Sequence, residues 1–150
     1  MLVRPLIKYW IPVAAWMLLI LIASGDLMSA EHTSRFLVPF LRWIVPDISP
    51  ATVTLIQLLV RKGAHVTEYA ILAALLWRAF DRGQQAFWRA TAITFAIAAV
   101  YASLDEFHQS FIPSRTGAFE DVLIDCVGAM LGLAVCALAG FARSGFRNPK

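Results

Sequence analysis

The chain has 150 residues, 59% of them hydrophobic and 15% charged, with a formal net charge of +3. A soluble domain of this size carries about a quarter charged residues, and a nucleic-acid binder clusters its Lys and Arg on one face. Neither pattern is present: long uncharged stretches alternate with short charged ones, which suits a single bundle of membrane-crossing helices over residues 1–150 and leaves no separate soluble domain.

Four apolar stretches read as crossings, at residues 9–25, 63–80, 88–104 and 122–141. The first follows Arg4 and Lys8 and ends in Ala23, Ser24 and Gly25, a form shared with cleaved signal peptides. The segment 29–62 then mixes Phe36, Leu37, Phe40, Leu41, Trp43 and Ile44 with Arg35 and Arg42, and Pro39 and Pro46 interrupt it. It is expected to form an interfacial helix on the outer leaflet, the alternative being a loop that dips its aromatics into the membrane. His32 is expected in a solvated loop, and 144–150 as a frayed basic tail.

Ser49 followed by Pro50 is a helix start, with a capping hydroxyl and proline in the first helical position. A helix from there to Phe80 would be roughly 46 Å long, more than a bilayer core of about 30 Å. Its early part is therefore expected to stand outside the bilayer, or to lie at its surface and bend near Gly63. Cys126 and Cys136 lie roughly 15 Å apart on one helix, too far for a disulfide. They read as small apolar fillers.

With the N-terminus inside, the inner side carries Arg4, Lys8, Arg78, Arg82, Arg89, Arg143, Arg147 and Lys150. The outer side carries Arg35, Arg42, Arg61, Lys62 and Arg115. The bias puts both termini in the cytoplasm of a multi-pass inner-membrane protein, and the short inner loop 81–87 is where such a bias counts most. The expected fold class is all-α: a polytopic bundle of four transmembrane helices plus an interfacial helix in the first outer loop.

The ionisable residues then gather at one level near the outer surface. Lys62, His65, Tyr69 and Leu72 repeat at helical spacing on the second span, with Glu68 beside that stripe. On the third span Asp105, His108 and Gln109 are expected to share a face, with Glu106 about 100° from Asp105. On the fourth, Asp121, Asp125, Gly128 and Gly132 form one stripe. Glycines four residues apart let helix backbones approach closely, so this stripe is expected to point the two acids into the bundle. Arg115 lies in the turn-rich loop between the last two spans. A carboxylate at the depth of Glu68 costs several kcal/mol unless it is paired, protonated or turned inward.

The run from Lys62 through His65, Glu68, Tyr69 and Leu72, followed by Asp105, Glu106, His108, Gln109, Phe111, Pro113 and Arg115, then Asp121 to Asp125 and Gly128 to Gly132, resembles the VanZ-like family. These are small bacterial membrane proteins named for a member that raises resistance to the glycopeptide teicoplanin. The resemblance covers about residues 61–132 and implies an envelope setting, not a mechanism. The family often carries asparagine where this chain has Asp125, a departure that adds a charge.

Several readings of the cluster stay open on the sequence. As a binding site, Lys62 and Arg115 would hold the phosphate of a membrane lipid or lipid-linked cell-wall precursor. As an active site, buried carboxylates beside His65 would act as general acid and base. A metal site would draw on His65, Glu68, Asp105, His108 and Asp121, although the spacing alone is a weak signal and no cofactor is specified. In a purely structural role the ions would simply pair, with Asp121 favoured at a helix N-terminus. The residues singled out are His65, Glu68, Asp105, Glu106, Gln109, Arg115, Asp121 and Asp125, supported by Lys62, Tyr69 and His108. No nucleic-acid partner is expected, and oligomeric state is not legible.

Overall fold

Ser49 opens the longest element. Its hydroxyl accepts the Thr52 amide N–H at 3.1 Å, and Pro50 occupies the first turn, where its missing N–H leaves no helical bond unmade. In the computed structural model the chain forms α1 (Val3–Ala23), α2 (Ala30–Ile44), α3 (Pro50–Phe80), α4 (Phe87–Gln109) and α5 (Phe119–Phe146). The structure describes residues 3–25, 30–81, 87–113, 115 and 117–146, and side chains over 7–25, 33–81, 87–113, 115 and 117–140. The described residues include no strand.

α3 is 31 residues long, and the bend expected near Gly63 does not interrupt it. One glycine inside a helix costs only about 1 kcal/mol, too little to break a helix packed along its length. α2 is the helix expected in the outer segment. Phe36 and Trp43 on it are 82% and 79% exposed; Pro39 lies inside it and Pro46 beyond its end. It is tied to α3 by Gln57, whose amide donates to the Ser34 hydroxyl at 2.7 Å. His32 falls within α2 and not in a loop, and its side chain lies outside the described residues. α5 continues to Phe146, so the first part of the expected tail is helical, while 147–150 lie outside the described residues.

Among the described residues, two helices are long and apolar enough to cross a bilayer, over Phe87–Gln109 and Phe119–Gly140. The apolar part of α1, Ile7–Ala23, is shorter, and α3 carries Arg61, Lys62, Glu68 and Arg78. The expectation of four apolar crossings is thus met by two helices on length and composition. Charge within α3 is what separates it from them.

The distribution of polarity is the reverse of a soluble bundle. On α5, Asp121, Asp125, Gly128 and Gly132 face inward, whereas Leu123, Val127, Met130, Leu131, Val135 and Leu138 are exposed. α1 likewise exposes Ile7, Ile11, Leu18 and Ile22 around the buried Val13 and Ile20. Soluble proteins rarely leave contiguous apolar faces of this kind open.

The two glycines set how closely α5 meets α3. A Cβ on Gly128 would collide with the backbone of Val66, and one on Gly132 with the backbone of Ala70. Backbone cannot rotate out of the way. Gly128→Ala and Gly132→Ala should each destabilise the detergent-solubilised protein by about 1–3 kcal/mol, read as a lower unfolding temperature. Gly63→Ala and Gly140→Ala, whose Cβ atoms meet nothing within 4 Å, should leave that temperature unchanged or raise it.

Candidate functional site

The seam between α3 and α5 fixes the first contacts of the cluster. His65 on α3 shares a 2.9 Å hydrogen bond between its Nδ1 and Asp125 Oδ1 on α5, both residues buried. One helical turn nearer the start of α5, Asp121 is 2% exposed and pairs with two cations of α3. Arg61 Nη2 reaches its Oδ2 at 3.1 Å, and Lys62 Nζ is bonded to its Oδ1. Asp121 is thus neutralised by its neighbours.

α4 adds a second pair of carboxylates. Asp105 Oδ2 accepts from the Ser24 hydroxyl at 2.7 Å and from the Gln109 amide at 3.2 Å. Glu106 Oε2 accepts the Ala118 amide N–H at 2.9 Å and so holds the loop that leads into α5. That loop passes tightly over the end of α4, where Gly117 leaves no room for a Cβ against the Glu106 carbonyl. His108, expected beside Asp105 and Gln109, is exposed and stands outside the cluster. The reason is angular. Taking Asp105 as zero, Gln109 lies at about +40°, Glu106 at about +100° and His108 at about −60°. The buried sector runs from Asp105 to Glu106, so His108 falls outside it.

The Arg115 guanidinium caps the C-terminus of α1, donating from Nη2 to the carbonyls of Ala23 at 2.8 Å and Gly25 at 3.2 Å, and from Nε to Gly25 at 3.3 Å. A helix C-terminus offers orphan carbonyls and a partial negative charge, both suited to an arginine. Burial lowers the Arg115 pKa and the nearby Arg61 charge adds to that; Asp105, Glu68 and Glu106 act the other way.

Tyr69 is fully buried with its ring 6.4 Å from that of Tyr101. The Tyr101 hydroxyl donates to the Met17 carbonyl at 2.6 Å, and the Trp16 indole N–H to the Glu68 carbonyl at 2.9 Å. These bonds, with Ser24, bring α1 into the site. Ser24 and Trp16 were not among the residues picked from the sequence. A serine at the end of an apolar span was the available signal, and it read equally as part of a signal-peptide cleavage motif.

Beside the cluster lies a cavity of about 300 Å³, bounded by α1, α2, α3, the end of α4 and Arg115. Leu37, Leu58, Val60 and Ala64 give it apolar walls, and Arg61, His65, Glu68 and Gln109 a polar side. The Glu68 carboxylate is half-buried and has neither hydrogen bond nor ion pair among the described residues. His65, Glu106 and Asp125 also converge, with one nitrogen and two carboxylate oxygens all within 4.8 Å of one another. Of the five residues named for a metal site in the sequence, only His65 belongs to this group.

Arg115→Ala strands the α1 carbonyls and should destabilise the protein by about 1–3 kcal/mol, read by thermal unfolding in detergent. Arg115→Lys, which keeps the charge but not the fork, should fall between alanine and wild type.

A family model described as VanZ/LLP1 matches residues 9–140. No curated protein and no solved structure matches the chain. The matched residues take in the apolar part of α1, all of α2 to α4, and α5 as far as Gly140, and with them the whole polar cluster. The two apolar helices and this match together point to a membrane protein. The chain belongs to the VanZ/LLP1 family.

Proposed function

We propose that this protein crosses the bacterial cytoplasmic membrane four times, with α1, the inner part of α3, α4 and α5. Its outward-facing cavity holds the head group of a phosphate-bearing lipid or lipid-linked cell-wall precursor. The observation that carries the reading is the cavity itself, apolar on one wall and polar on the other. That is the surface an amphiphile needs: hydrocarbon against Leu37, Leu58 and Ala64, a charged head against Arg61, Glu68 and Gln109. Arg61 and Arg115 both line the cavity, while Lys62 is turned to Asp121. The phosphate therefore meets Arg61, which lines the cavity while it also bonds Asp121, and Arg115 contributes charge while it holds α1. The apolar face of α2, with Phe36 and Trp43 outward, fits a helix lying in the membrane interface over the cavity mouth.

The excess of basic residues on the inner side supports cytoplasmic termini. In a background lacking Cys126 and Cys136, Ser110→Cys, an exposed position in the α4–α5 loop, should react with an impermeant thiol reagent applied to whole cells. Labelling only after the membrane is opened from the inner side would reverse the orientation and put the cavity in the cytoplasm.

Native mass spectrometry of the detergent-purified protein tests the ligand. Wild type should retain a phosphate-bearing lipid, and Ala64→Trp, which fills the cavity without touching an ion pair, should retain far less. Equal retention by both proteins, or no selective lipid with wild type, would contradict the reading. The family's link to teicoplanin makes susceptibility to that glycopeptide the cellular phenotype to compare between the same two proteins.

A second reading is favoured by Glu68. A carboxylate with no partner among the described residues, on a cavity wall beside a histidine, is the arrangement of a general acid or base. An enzyme acting on the bound head group would lose turnover in Glu68→Gln while keeping its lipid. A binding protein would show no turnover to lose.

A further inference from the structure

Buried carboxylates in this cluster outnumber their cations. Arg61 and Lys62 are both engaged with Asp121, and Arg115 points its donors at α1 carbonyls. Glu106 and Asp125 are left with no Lys or Arg ion pair among the described residues; Asp125 is bonded to His65, and Glu106 accepts only the Ala118 amide N–H. Each also has a bare oxygen. Asp125 is 0% exposed with Oδ2 unpartnered, and Glu106 is 5% exposed with Oε1 unpartnered. Gln109 Oε1 and Asp105 Oδ1 are buried and unpartnered as well. A buried acceptor without a donor is costly and rare, and an isolated buried carboxylate more so. Four such oxygens at one level call for a positive charge.

Geometry supplies a place for it. One atom each from His65, Glu106 and Asp125 lie within 4.8 Å of one another. Two ligands on opposite sides of one ion, each about 2.1 Å away, are about 4.2 Å apart, so small side-chain rotations would bring all three onto a common centre. The three residues come from α3, α4 and α5. The donor set is one imidazole nitrogen with two carboxylate oxygens, hard enough for Mn²⁺ and, through the imidazole, suited to Zn²⁺. Two carboxylates and a doubly charged ion leave no net charge to bury.

We infer that His65, Glu106 and Asp125 form a binding site for one divalent transition-metal ion of the Mn²⁺ or Zn²⁺ class, clasping the middle of α3 to the C-terminal end of α4 and the N-terminal end of α5. The site does not depend on any lipid in the neighbouring cavity. It differs from a pattern of exposed acids, because its ligands are buried and come from three separate helices.

The test uses the full chain in detergent, stripped with chelator and titrated with Mn²⁺ alone, followed by electron paramagnetic resonance. Wild type should take up one ion per chain, Zn²⁺ should displace it, and electron-spin-echo modulation should show an imidazole nitrogen on the bound Mn²⁺. Glu106→Gln and Asp125→Asn should each weaken binding by at least about tenfold, while Asp81→Asn, at the far end of α3, should leave it unchanged. The nitrogen signature needs only wild type, so the proposal stays decidable if a variant fails to fold. Folded wild type that takes up neither ion at millimolar concentration would overturn it and leave shared protons as the neutralising charge. Bound Mn²⁺ without the imidazole signature, or bound equally well by both variants, would overturn it too.

Discussion

The approach of α5 to α3 is the constraint on which the rest of this molecule depends. Gly128 and Gly132 let the α5 backbone settle against Val66 and Ala70. At that separation Asp125 reaches His65, and Asp121 reaches both Arg61 and Lys62. Were the helices a side-chain layer further apart, each of these acids would be buried without its partner. The small residues and the charged residues of α5 thus form one device: the first set the distance at which the second are tolerated.

The same logic extends around the bundle. α4 brings Asp105 and Glu106 to the site, and each is held by a different neighbour, Ser24 from α1 and the Ala118 amide from the loop before α5. Arg115 closes the arrangement by capping α1. Polar groups therefore join the apolar core of Val13, Ile20, Leu72 and Leu76 in fixing which helix meets which, and at what register. Apolar side chains are used outward, where the solvent is hydrocarbon and hydrogen bonds must be satisfied internally. Buried oxygens of Asp105, Glu106 and Asp125 stay without a partner, as do the Tyr69 hydroxyl, the Trp77 indole N–H and the Thr94 hydroxyl, and the Glu68 side chain lines a cavity.

Much of this could be read from residue spacing, because helical periodicity translates directly into faces. The stripe of His65, Tyr69 and Leu72 is buried, as is that of Asp121, Asp125, Gly128 and Gly132. The Ser49–Pro50 start and the amphipathic α2 follow from local chemistry and sit where expected. What spacing could not supply was partner choice across helices. That Arg115 also holds α1 was not legible, since nothing local reveals which carbonyls a loop arginine will reach. His108 was grouped with Asp105 on a three-residue spacing, which leaves about 60° of ambiguity; only the neighbouring helices decide which side of Asp105 is buried. Ser24 and Trp16 act through contacts distant in sequence, and no short motif marks them.

The central claim is that the apolar outer face of this bundle meets lipid while its ions face inward. The most direct measurement is spin-label accessibility along α5 in a reconstituted bilayer, at the exposed positions Leu123, Val127, Met130, Leu131, Val135 and Leu138. The account expects labels from Val127 to Val135 to collide readily with oxygen, which concentrates in hydrocarbon, and hardly at all with a water-soluble nickel reagent. Ready access of the nickel reagent to those same positions would mean that α5 lies in water, and would contradict the account.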